Sequence, residues 1–322
     1  MNALVTGGTG FVGRHLVEAL LRRGDTVTVL ARSPKKARDL EERGVLVARG
    51  DLGDRPALRA AAAGQDVIFH LAGLVAARSD AEFLEVNRDG TGTLVAAALE
   101  TGRPRLIYVS SLSASGPAAR GTRLRGDEVP GPLTGYGRSK LAGEAAVTES
   151  GLPWTILRPP AVYGPYDTEL LTVFRAARLG VVPIFGDGSQ ELSLIYVPDL
   201  AEALIAAARS PATLGRRFCV SHPEIVTSRN FVHAVATAVG RSVSVVPVPR
   251  LLAAGILRVT SAAAWLAGRP TLLNPDKARE FFAEAWTCDP APFEASTGWR
   301  AACDLATGAR ETAAWYRSAG WL

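Results

Sequence analysis

The feature that most constrains this sequence is a glycine-rich turn between an apolar run and a helix-like stretch. The run Ala3–Thr6 predicts a strand and Phe11–Arg23 predicts a helix, with Gly7, Gly10 and Gly13 at the junction. Glycine is needed there because the backbone must turn tightly, approach a pyrophosphate without a Cβ in the way, and pack the helix on the strand. The helix N-terminus then offers free N–H groups to phosphates. The context therefore predicts a dinucleotide-binding turn rather than a flexible turn without a ligand.

Short apolar runs alternate with helix-like stretches through the first half of the chain. The predicted strands are Ala3–Thr6, Thr26–Ala31, Leu46–Ala48, Val67–Leu71, Leu106–Val109 and Trp154–Leu157, and the predicted helices are Phe11–Arg23, Ala81–Glu100 and Tyr136–Glu149. A repeated β–α order builds a parallel sheet with helices on both faces. The sequence thus predicts an α/β protein with a Rossmann-type doubly wound parallel sheet. Its 322 residues, 48% of them hydrophobic, also allow a smaller second lobe.

The sequence pattern changes after Arg158, where segments interrupted by proline and glycine replace the β–α alternation. A strand-like run, Leu194–Val197, is followed by a predicted helix to Arg209 and resembles one more sheet unit. We therefore expect a dinucleotide-binding domain over residues 1–162, rejoined at about 191–221, and a mostly helical substrate lobe over 163–190 and 222–322. The second lobe would form the other wall of a cleft.

One long apolar stretch, Leu251–Leu266, falls in the predicted second lobe. It has about sixteen residues and contains Arg258, so it is short for a membrane span, and no membrane-spanning helix is expected. It could supply apolar surface to the substrate cleft, or it could pack in the core or at a dimer contact.

Composition disfavours several other classes of protein. The sequence opens without the charged region and apolar run of a secretory signal, which favours a cytoplasmic protein. The thiols and imidazoles lack the spacing of a disulfide framework or a metal site, so no metal is expected; they are Cys219, Cys288, Cys303, His15, His70, His222 and His233. The net charge is +5, but 36 basic residues are interleaved with 31 acidic ones. This pattern argues against a nucleic-acid partner and favours a small-molecule substrate.

The end of the second predicted strand bears on which dinucleotide is bound. A carboxylate there would accept hydrogen bonds from a ribose 2′-hydroxyl, whereas a cation would face a 2′-phosphate. This chain has Arg32 and Ser33 at the strand end and Lys35 and Lys36 just beyond. The sequence therefore predicts NADP(H), with NAD(H) as the alternative. The basic residues could instead be a solvated start of a helix.

Tyr136 and Lys140 stand four residues apart, so they share one face of a predicted helix. Proton transfer to a substrate oxygen is the natural use of a phenol beside an ammonium. Since tyrosine has a pKa near 10, we expect the lysine charge and an oxidised nicotinamide to lower it. Upstream, Ser111 follows a predicted strand at the carboxyl edge of the sheet, where it could hold the substrate oxygen, although serine-rich strand ends are also common turns.

These motifs, in this order, resemble the extended short-chain dehydrogenase/reductase superfamily, also called the NAD-dependent epimerase/dehydratase family. The resemblance runs over nearly the whole chain. It is carried by TGGTGFVG at Thr6–Gly13, GDL at Gly50–Leu52, FHLAG at Phe69–Gly73, VNRDGT at Val86–Thr91, YVSS at Tyr108–Ser111, YGRSK at Tyr136–Lys140 and RPPAVYGP at Arg158–Pro165. Each motif alone is weak, but the set is specific.

The resemblance implies a site and a catalytic set. It implies cofactor binding by Gly7, Thr9, Gly10, Phe11, Val12, Gly13, Arg32, Ser33, Lys35, Asp51, Leu52, Leu71, Ala72, Gly73, Tyr136, Lys140, Pro159, Ala161 and Val162. Asp51 and Leu52 would border the adenine, and Pro159 to Val162 would flank the nicotinamide. Ser111, Tyr136 and Lys140 would be the catalytic residues, with Asn87 supporting the proton relay. A homodimer is a further expectation from the family.

One departure from the family pattern bears on the substrate. Nucleotide-sugar members tend to carry Arg-Asp-Phe where this chain has Leu192-Ser193-Leu194, so the cation that holds the diphosphate is missing unless Arg175 or Arg178 replaces it. Arg32 with Lys35 also resembles the dihydroflavonol reductase and 3β-hydroxysteroid dehydrogenase-like branch more than the sugar epimerases. We therefore expect an oxidoreductase that interconverts a ketone and a secondary alcohol on a largely apolar, cyclic small molecule. The alternatives are a nucleotide-sugar 4-epimerase or dehydratase with tightly bound NAD, and a non-catalytic dinucleotide-binding protein.

Overall fold

The computed structural model of the chain describes residues 1–266, 271 and 276–322. Its strands are β1 (Asn2–Thr6), β2 (Thr26–Ala31), β3 (Leu46–Arg49), β4 (Val67–His70), β5 (Arg105–Val109), β6 (Trp154–Arg158), β7 (Ala161–Tyr163), β8 (Val181–Phe185), β9 (Glu191–Tyr196), β10 (Arg216–Cys219), β11 (Ile225–Thr227), β12 (Ser244–Val248) and β13 (Ala285–Trp286).

Its helices are α1 (Phe11–Arg22), α2 (Pro34–Glu41), α3 (Arg55–Ala62), α4 (Asp80–Leu84), α5 (Gly90–Leu99), α6 (Leu112–Ser115), α7 (Gly135–Thr148), α8 (Leu171–Arg178), α9 (Val197–Arg209), α10 (Ser228–Val239), α11 (Arg250–Leu266), α12 (Lys277–Phe281), α13 (Ala291–Thr297) and α14 (Leu305–Ser318). A π-helical turn, Glu85–Asp89, joins α4 to α5, and a 3-10 turn, Pro211–Thr213, follows α9.

Seven strands form one parallel sheet in the order β3-β2-β1-β4-β5-β6-β10. The six strands that the sequence predicts in the first half are all present and parallel, which confirms the doubly wound fold. Strand order reverses between β1 and β4, and ligands of such sheets bind at the carboxyl ends of the strands beside that point. The glycine-rich turn follows β1 and therefore lies at this place.

Successive residues of the central strands enter different cores because helices cover both faces of the sheet. Val5 packs with α1, α2 and α9 on one face, and Leu4 packs with α3, α5 and α7 on the other. Both side chains are fully buried. This double burial explains why the strands read as continuous apolar runs rather than as alternating patterns.

Other strands form two smaller sheets with a core of their own. Strand β9 pairs with β7, β11 and β13, and β8 pairs with β12. A separate apolar cluster that includes Phe174, Phe231 and Tyr316 packs α8, α10 and α14 around these strands. We call these elements, together with α12, the second wall, and we expect them to face the glycine-rich turn across a cleft. The lobe boundary near residue 162 stays a prediction.

The expected return of the chain to the large sheet is wrong for one strand. The run Leu194–Val197 was expected to be a sheet unit of the first domain, but its strand, β9, lies in the four-stranded sheet. The helix α9 does pack beside α1, and Arg216–Cys219 is the strand that joins the edge of the large sheet next to β6. A strand-like run shows that a strand forms but not which partners it will find.

The apolar stretch Leu251–Leu266 forms most of α11. Only part of its surface is buried: Ala253 and Leu257 are inaccessible, whereas Leu251 and Val259 are exposed. Packing within the core therefore does not explain its outer side. Among the residues that the structure describes, no helix combines the length and apolarity needed to cross a bilayer.

Candidate active site at the carboxyl edge of the sheet

The glycine-rich turn leaves no room for side chains at its tightest points. A Cβ at Gly13 would lie 2.1 Å from the Gly7 carbonyl oxygen, and one at Gly7, whose φ is +75°, would lie 2.8 Å from the Ala72 nitrogen. Gly10 precedes α1 and offers no side chain to cap it, so the first N–H groups of the helix stay available. Thr9, Phe11 and Val12 are partly exposed around this opening. The turn fits a pyrophosphate, because a Cβ would fill the cradle.

A buried histidine joins the strands beneath the turn. The His70 Nδ1 lies 2.7 Å from the Thr6 hydroxyl and its Nε2 lies 2.9 Å from the Thr91 hydroxyl, while the Ala72 N–H donates to Thr6 Oγ1 at 3.3 Å. Burial lowers the pKa of His70 to about 3, and the nearby Lys140 charge acts in the same direction. The imidazole is therefore neutral and structural. Above it, Leu71 and Ala72 are partly buried and Gly73 is exposed along the cleft.

The predicted adenosine end of the cleft is basic. Arg32 and Lys35 are exposed after β2, with Ser33 half-buried between them. No carboxylate of the described residues lies within ion-pair distance of Arg32 or Lys35. On the next strand end, Asp51 is exposed and accepts a hydrogen bond from the Gly53 N–H at 2.9 Å, and Leu52 is buried.

Asn87 occupies the π-helical turn and holds two elements in place. Its Oδ1 accepts from the Leu74 N–H at 2.7 Å, and its Nδ2 donates to the Leu74 carbonyl at 2.9 Å and to Ser139 Oγ at 2.8 Å. A Cβ at Gly73 would lie 2.8 Å from Asn87 Oδ1. Asn87 thus ties the cleft wall after β4 to the helix that carries Tyr136 and Lys140. Such π-helical turns occur frequently at functional sites.

The structure brings the three predicted catalytic residues to one edge of the sheet. Ser111 follows β5 and caps α6, and Tyr136 and Lys140 lie on α7, whose N-cap is Thr134. Ser111 lies near enough to Tyr136 to lower the pKa of its phenol. Lys140 Nζ donates to the Val109 carbonyl at 2.6 Å and lies 4.4 Å from the centre of the Tyr108 ring. Pro159, Ala161 and Val162 follow on the adjacent chain segment, where the Leu112 N–H donates to the Pro159 carbonyl at 2.9 Å.

Burial dominates the pKa shifts of this set. It raises the pKa of Tyr136 to about 12, while the nearby Ser111 hydroxyl opposes the rise and the carboxylates of Glu169 and Glu280 add to it. The lowering expected from Lys140 together with an oxidised nicotinamide stays a prediction. Burial also lowers the pKa of Lys140 to about 8, against the pull of Glu144. At neutral pH the Tyr136 phenol therefore carries its proton and the Lys140 ammonium can exchange its own.

A buried ion pair fixes the catalytic helix to the sheet. Glu144, on α7, accepts from Arg158 Nε at 2.8 Å and Nη2 at 2.6 Å, and both side chains are 1% exposed. Ser110 donates to the same carboxylate, and Arg158 also donates to Ser115 Oγ at 2.9 Å. Removing either Glu144 or Arg158 would leave the other charge buried without its partner. Such a loss lowers the free energy of unfolding by about 3–5 kcal/mol.

Sequence reasoning missed the residues that face Tyr136 from the second wall. The Lys277 Nζ lies 5.8 Å from the centre of the Tyr136 ring and donates to Glu280 at 2.5 Å. Glu280 also accepts from the Thr134 hydroxyl at 2.8 Å, which links α12 to the start of α7. The Phe83 ring centre lies 6.0 Å from that of Tyr136. No local motif marks these residues. The one available signal was that Lys277 is one of only four lysines in the chain.

A glycine cradle at the switch point of a parallel sheet, with serine, tyrosine and lysine at the same edge, is typical of oxidoreductases that use a nicotinamide dinucleotide. Comparison with known families agrees. Residues 3–220 match the model of the NAD dependent epimerase/dehydratase family. The chain belongs to this family, the extended short-chain dehydrogenases/reductases, and is an NAD(P)-dependent oxidoreductase.

Several relatives are similar over most of the chain. Ceramide reductase of Caulobacter vibrioides is 37% identical over 324 residues, covering 99% of this chain and 95% of that protein. The 4-hydroxy-2-methyl-3-oxo-4-farnesyl-3,4-dihydroquinoline-1-oxide ketoreductase of Stigmatella aurantiaca is 31% identical and covers 87% of this chain and 90% of its own length. The UDP-glucose 4-epimerase of Thermus thermophilus, solved with NAD, has a TM-score of 0.80 at 27% identity, covering 99% of this chain and all of that one.

Proposed function

We propose that this protein reduces a ketone to a secondary alcohol on a largely apolar molecule, with NADPH as the reductant. The observation that carries the proposal is the position of Ser111, Tyr136 and Lys140 at the carboxyl edge of the sheet, beside the glycine-rich turn. The Tyr136 phenol carries its proton at neutral pH, which is the form that a reduction requires of its proton donor. The reductase and ketoreductase names of the relatives support the same direction.

Each residue of the set has a role in this reaction. The nicotinamide dinucleotide, when bound, supplies the hydride. Ser111 holds the carbonyl oxygen, and the Tyr136 hydroxyl donates its proton to that oxygen as charge develops on it. Lys140, fixed by the Val109 carbonyl, would bind the ribose and hand on a proton to Tyr136, since its pKa of about 8 allows exchange near neutrality. Asn87 keeps α7 and the cleft wall in register.

The choice of NADP(H) over NAD(H) rests on the end of β2. Arg32 is exposed there, and Lys35 and Lys36 follow within one turn. An arginine without a carboxylate partner suits a 2′-phosphate, which it can bind through two parallel hydrogen bonds. A ribose 2′-hydroxyl would instead call for a carboxylate at this position.

The apolar substrate is supported by the second wall of the cleft. Leu192, at the position of the diphosphate-binding arginine of nucleotide-sugar enzymes, lies in β9 and packs against the core of this wall. Arg175, a possible replacement, donates to the Trp321 carbonyl at 3.2 Å. The relatives named for ceramide and for a farnesyl-bearing quinoline also favour an apolar substrate over a sugar nucleotide.

The runner-up is a nucleotide-sugar epimerase with tightly bound NAD. It is favoured by the similarity of the whole chain to the UDP-glucose 4-epimerase structure. The two functions differ in the fate of the cofactor: a reductase consumes NADPH, whereas an epimerase shows no net change in it.

A substrate panel separates the two functions. The purified protein is assayed with a cyclic apolar ketone, an open-chain lipid ketone, a short water-soluble ketone, UDP-glucose and a dTDP-sugar, following both NADPH oxidation and sugar product. We expect NADPH oxidation with apolar ketones and none with the sugars. Epimerised sugar without net cofactor oxidation would reject the reductase and establish the runner-up.

A further inference from the structure

Helix α11 carries an apolar face that the rest of the described chain does not cover. This outer face consists of Leu251, Leu252, Ile256 and Val259, which are 90%, 58%, 41% and 70% exposed. Their spacing places them on one side of the helix, while Ala253 and Leu257 are buried on the other. Single exposed apolar residues are ordinary, but four on one helical face mark a contact surface.

The helix α11 itself carries positive charge and no negative charge. From Arg250 to Leu266 it contains two arginines, Arg250 and Arg258, and no acidic residue. Arg258 is exposed and borders the outer face in the helix. An apolar stripe flanked by arginine and free of carboxylates is the pattern of a helix that lies in the interface of an anionic bilayer.

The outer face connects to the substrate side of the cleft through short contacts. The Arg250 guanidinium lies 5.2 Å from the centre of the Phe282 ring, next to the end of α12, and Phe281 stacks on Phe185 with ring centres 4.5 Å apart. At the start of α12, Lys277 lies over Tyr136. If α11 binds to an external surface, that surface lies next to α12, which contacts Tyr136.

We propose that the outer face of α11 docks this protein on an anionic lipid bilayer, from which its substrate enters the cleft. This inference rests on the proposed function, because a largely apolar ketone partitions into membranes rather than into water. Leucine and valine side chains insert among the acyl chains, and Arg258 remains among the phosphates. A second copy of the chain is the competing occupant of this face.

The test compares vesicle binding by the whole chain, by two matched double variants and by one arginine variant. Vesicles of phosphatidylglycerol mixed with phosphatidylcholine, or of phosphatidylcholine alone, are sedimented with the protein. The wild type should bind the anionic vesicles and much less the neutral ones. Leu251→Ser/Val259→Ser should weaken binding at least about tenfold, because two inserted apolar side chains are lost. Arg258→Gln should weaken it about fivefold on anionic vesicles.

The matched control removes one exposed leucine and one exposed valine elsewhere. Leu46 and Val129 are 57% and 94% exposed outside α11, so Leu46→Ser/Val129→Ser should bind vesicles like the wild type. Equal binding by Leu251→Ser/Val259→Ser, or no binding of wild type to the anionic vesicles, would overturn the proposal. So would a wild-type dimer that this variant converts to a monomer, since a second copy would then cover the face.

Failure of docking and failure of the proposed reduction give different results. If docking is correct, Leu251→Ser/Val259→Ser reduces the short water-soluble ketone like the wild type but shows a raised KM for a lipid ketone presented in anionic vesicles. If the reductase assignment is wrong, no ketone is reduced even though the wild type still binds vesicles.

Discussion

The cleft has one wall shaped by the backbone and another shaped by side chains. In the first wall, glycines pack so closely that a Cβ at Gly13 would lie 2.1 Å from a carbonyl oxygen. In the second wall, contacts to Tyr136 come from the side chain of Lys277. A backbone cradle suits a group shared by a whole family, whereas side chains on a looser wall can change with the substrate.

The largest expected effect comes from removing the Tyr136 hydroxyl, and removal of the Tyr316 hydroxyl from the second wall is its control. Tyr136→Phe should lower turnover by about 10²–10⁴-fold, because the proton donor is lost, while dinucleotide binding persists. Tyr316→Phe removes a hydroxyl that donates to the Asp167 carbonyl at 2.7 Å in the second wall. It should cost about 1 kcal/mol of stability and leave turnover near normal. Steady-state rates, dinucleotide titration and urea unfolding measure these quantities. Near-normal turnover of Tyr136→Phe would refute its role as the acid.

Two helical glycines contrast the tight turn of the first wall with the open surface of α11. Gly13→Ala should cost about 3 kcal/mol or more and abolish dinucleotide binding, because the new methyl overlaps the Gly7 carbonyl. Gly255→Ala should raise the stability by about 0.5–1 kcal/mol, since alanine favours helix and finds open space. Urea unfolding and dinucleotide titration of both variants provide the measurement. A Gly13→Ala protein that binds the dinucleotide normally would show that the turn is not the cradle.

The two walls should respond to pH with opposite sign. His70 in the first wall has its pKa lowered by burial from 6.5 to about 3. The unfolded chain takes up that proton first, so stability falls as the pH falls below about 6.5. Asp167 in the second wall has its pKa raised by burial from 3.8 to about 7. Its folded form holds a proton that the unfolded form releases, so stability falls as the pH rises from about 3.8 through 7.

Variants isolate each of these pH effects. Between pH 4 and pH 8, Asp167→Asn should gain about 3 kcal/mol relative to the wild type, since its amide has no proton to release. Between pH 7 and pH 5, His70→Gln should lose about 2 kcal/mol less than the wild type. Urea unfolding at each pH gives the values. Parallel stability profiles of wild type and variant would contradict the assignment for that residue.

The smallest expected effect concerns cofactor choice in the first wall. Arg32→Ala should weaken NADPH binding by about 1–3 kcal/mol, the scale of a charge-assisted contact, and leave NADH binding nearly unchanged. Arg38→Ala, an exposed arginine later in α2, should change neither. Binding of both dinucleotides to both variants is measured by fluorescence titration. Equal weakening of NADPH and NADH by Arg32→Ala would reject its contact with a 2′-phosphate.

The first wall could be predicted because its signals are local. The turn at Gly7 to Gly13 and the pair Tyr136 and Lys140 each lie within eight residues, and the β–α alternation shows where their strands end. The second wall depends on contacts between distant segments. Lys277 meets Tyr136 across 141 positions, and Glu280 meets Thr134 across 146. Nothing in a single sequence indicates such a meeting.

The pKa of Tyr136 and the partners of β9 could not be predicted from the sequence for related reasons. The pKa of Tyr136 in the chain without a dinucleotide depends mainly on burial by neighbouring elements, which a local pattern does not reveal. The strand β9 has an apolar pattern that would suit either sheet, and its partners decided its place. The pair of Glu144 and Arg158 escaped notice because Glu144 lies outside every motif and nothing local marks it as the partner of Arg158.

The pairing of β9 also has a consequence for the order in which the chain is synthesised. The large sheet is complete once Cys219 at the end of β10 has emerged from the ribosome, whereas β9 waits for β11 and β13, the latter ending at Trp286. The part of the molecule with the large sheet can therefore assemble while the smaller sheets still lack three strands, β11, β12 and β13. During that interval the partly exposed edges of β9 are the vulnerable part of the nascent chain, because unpaired strand edges promote aggregation.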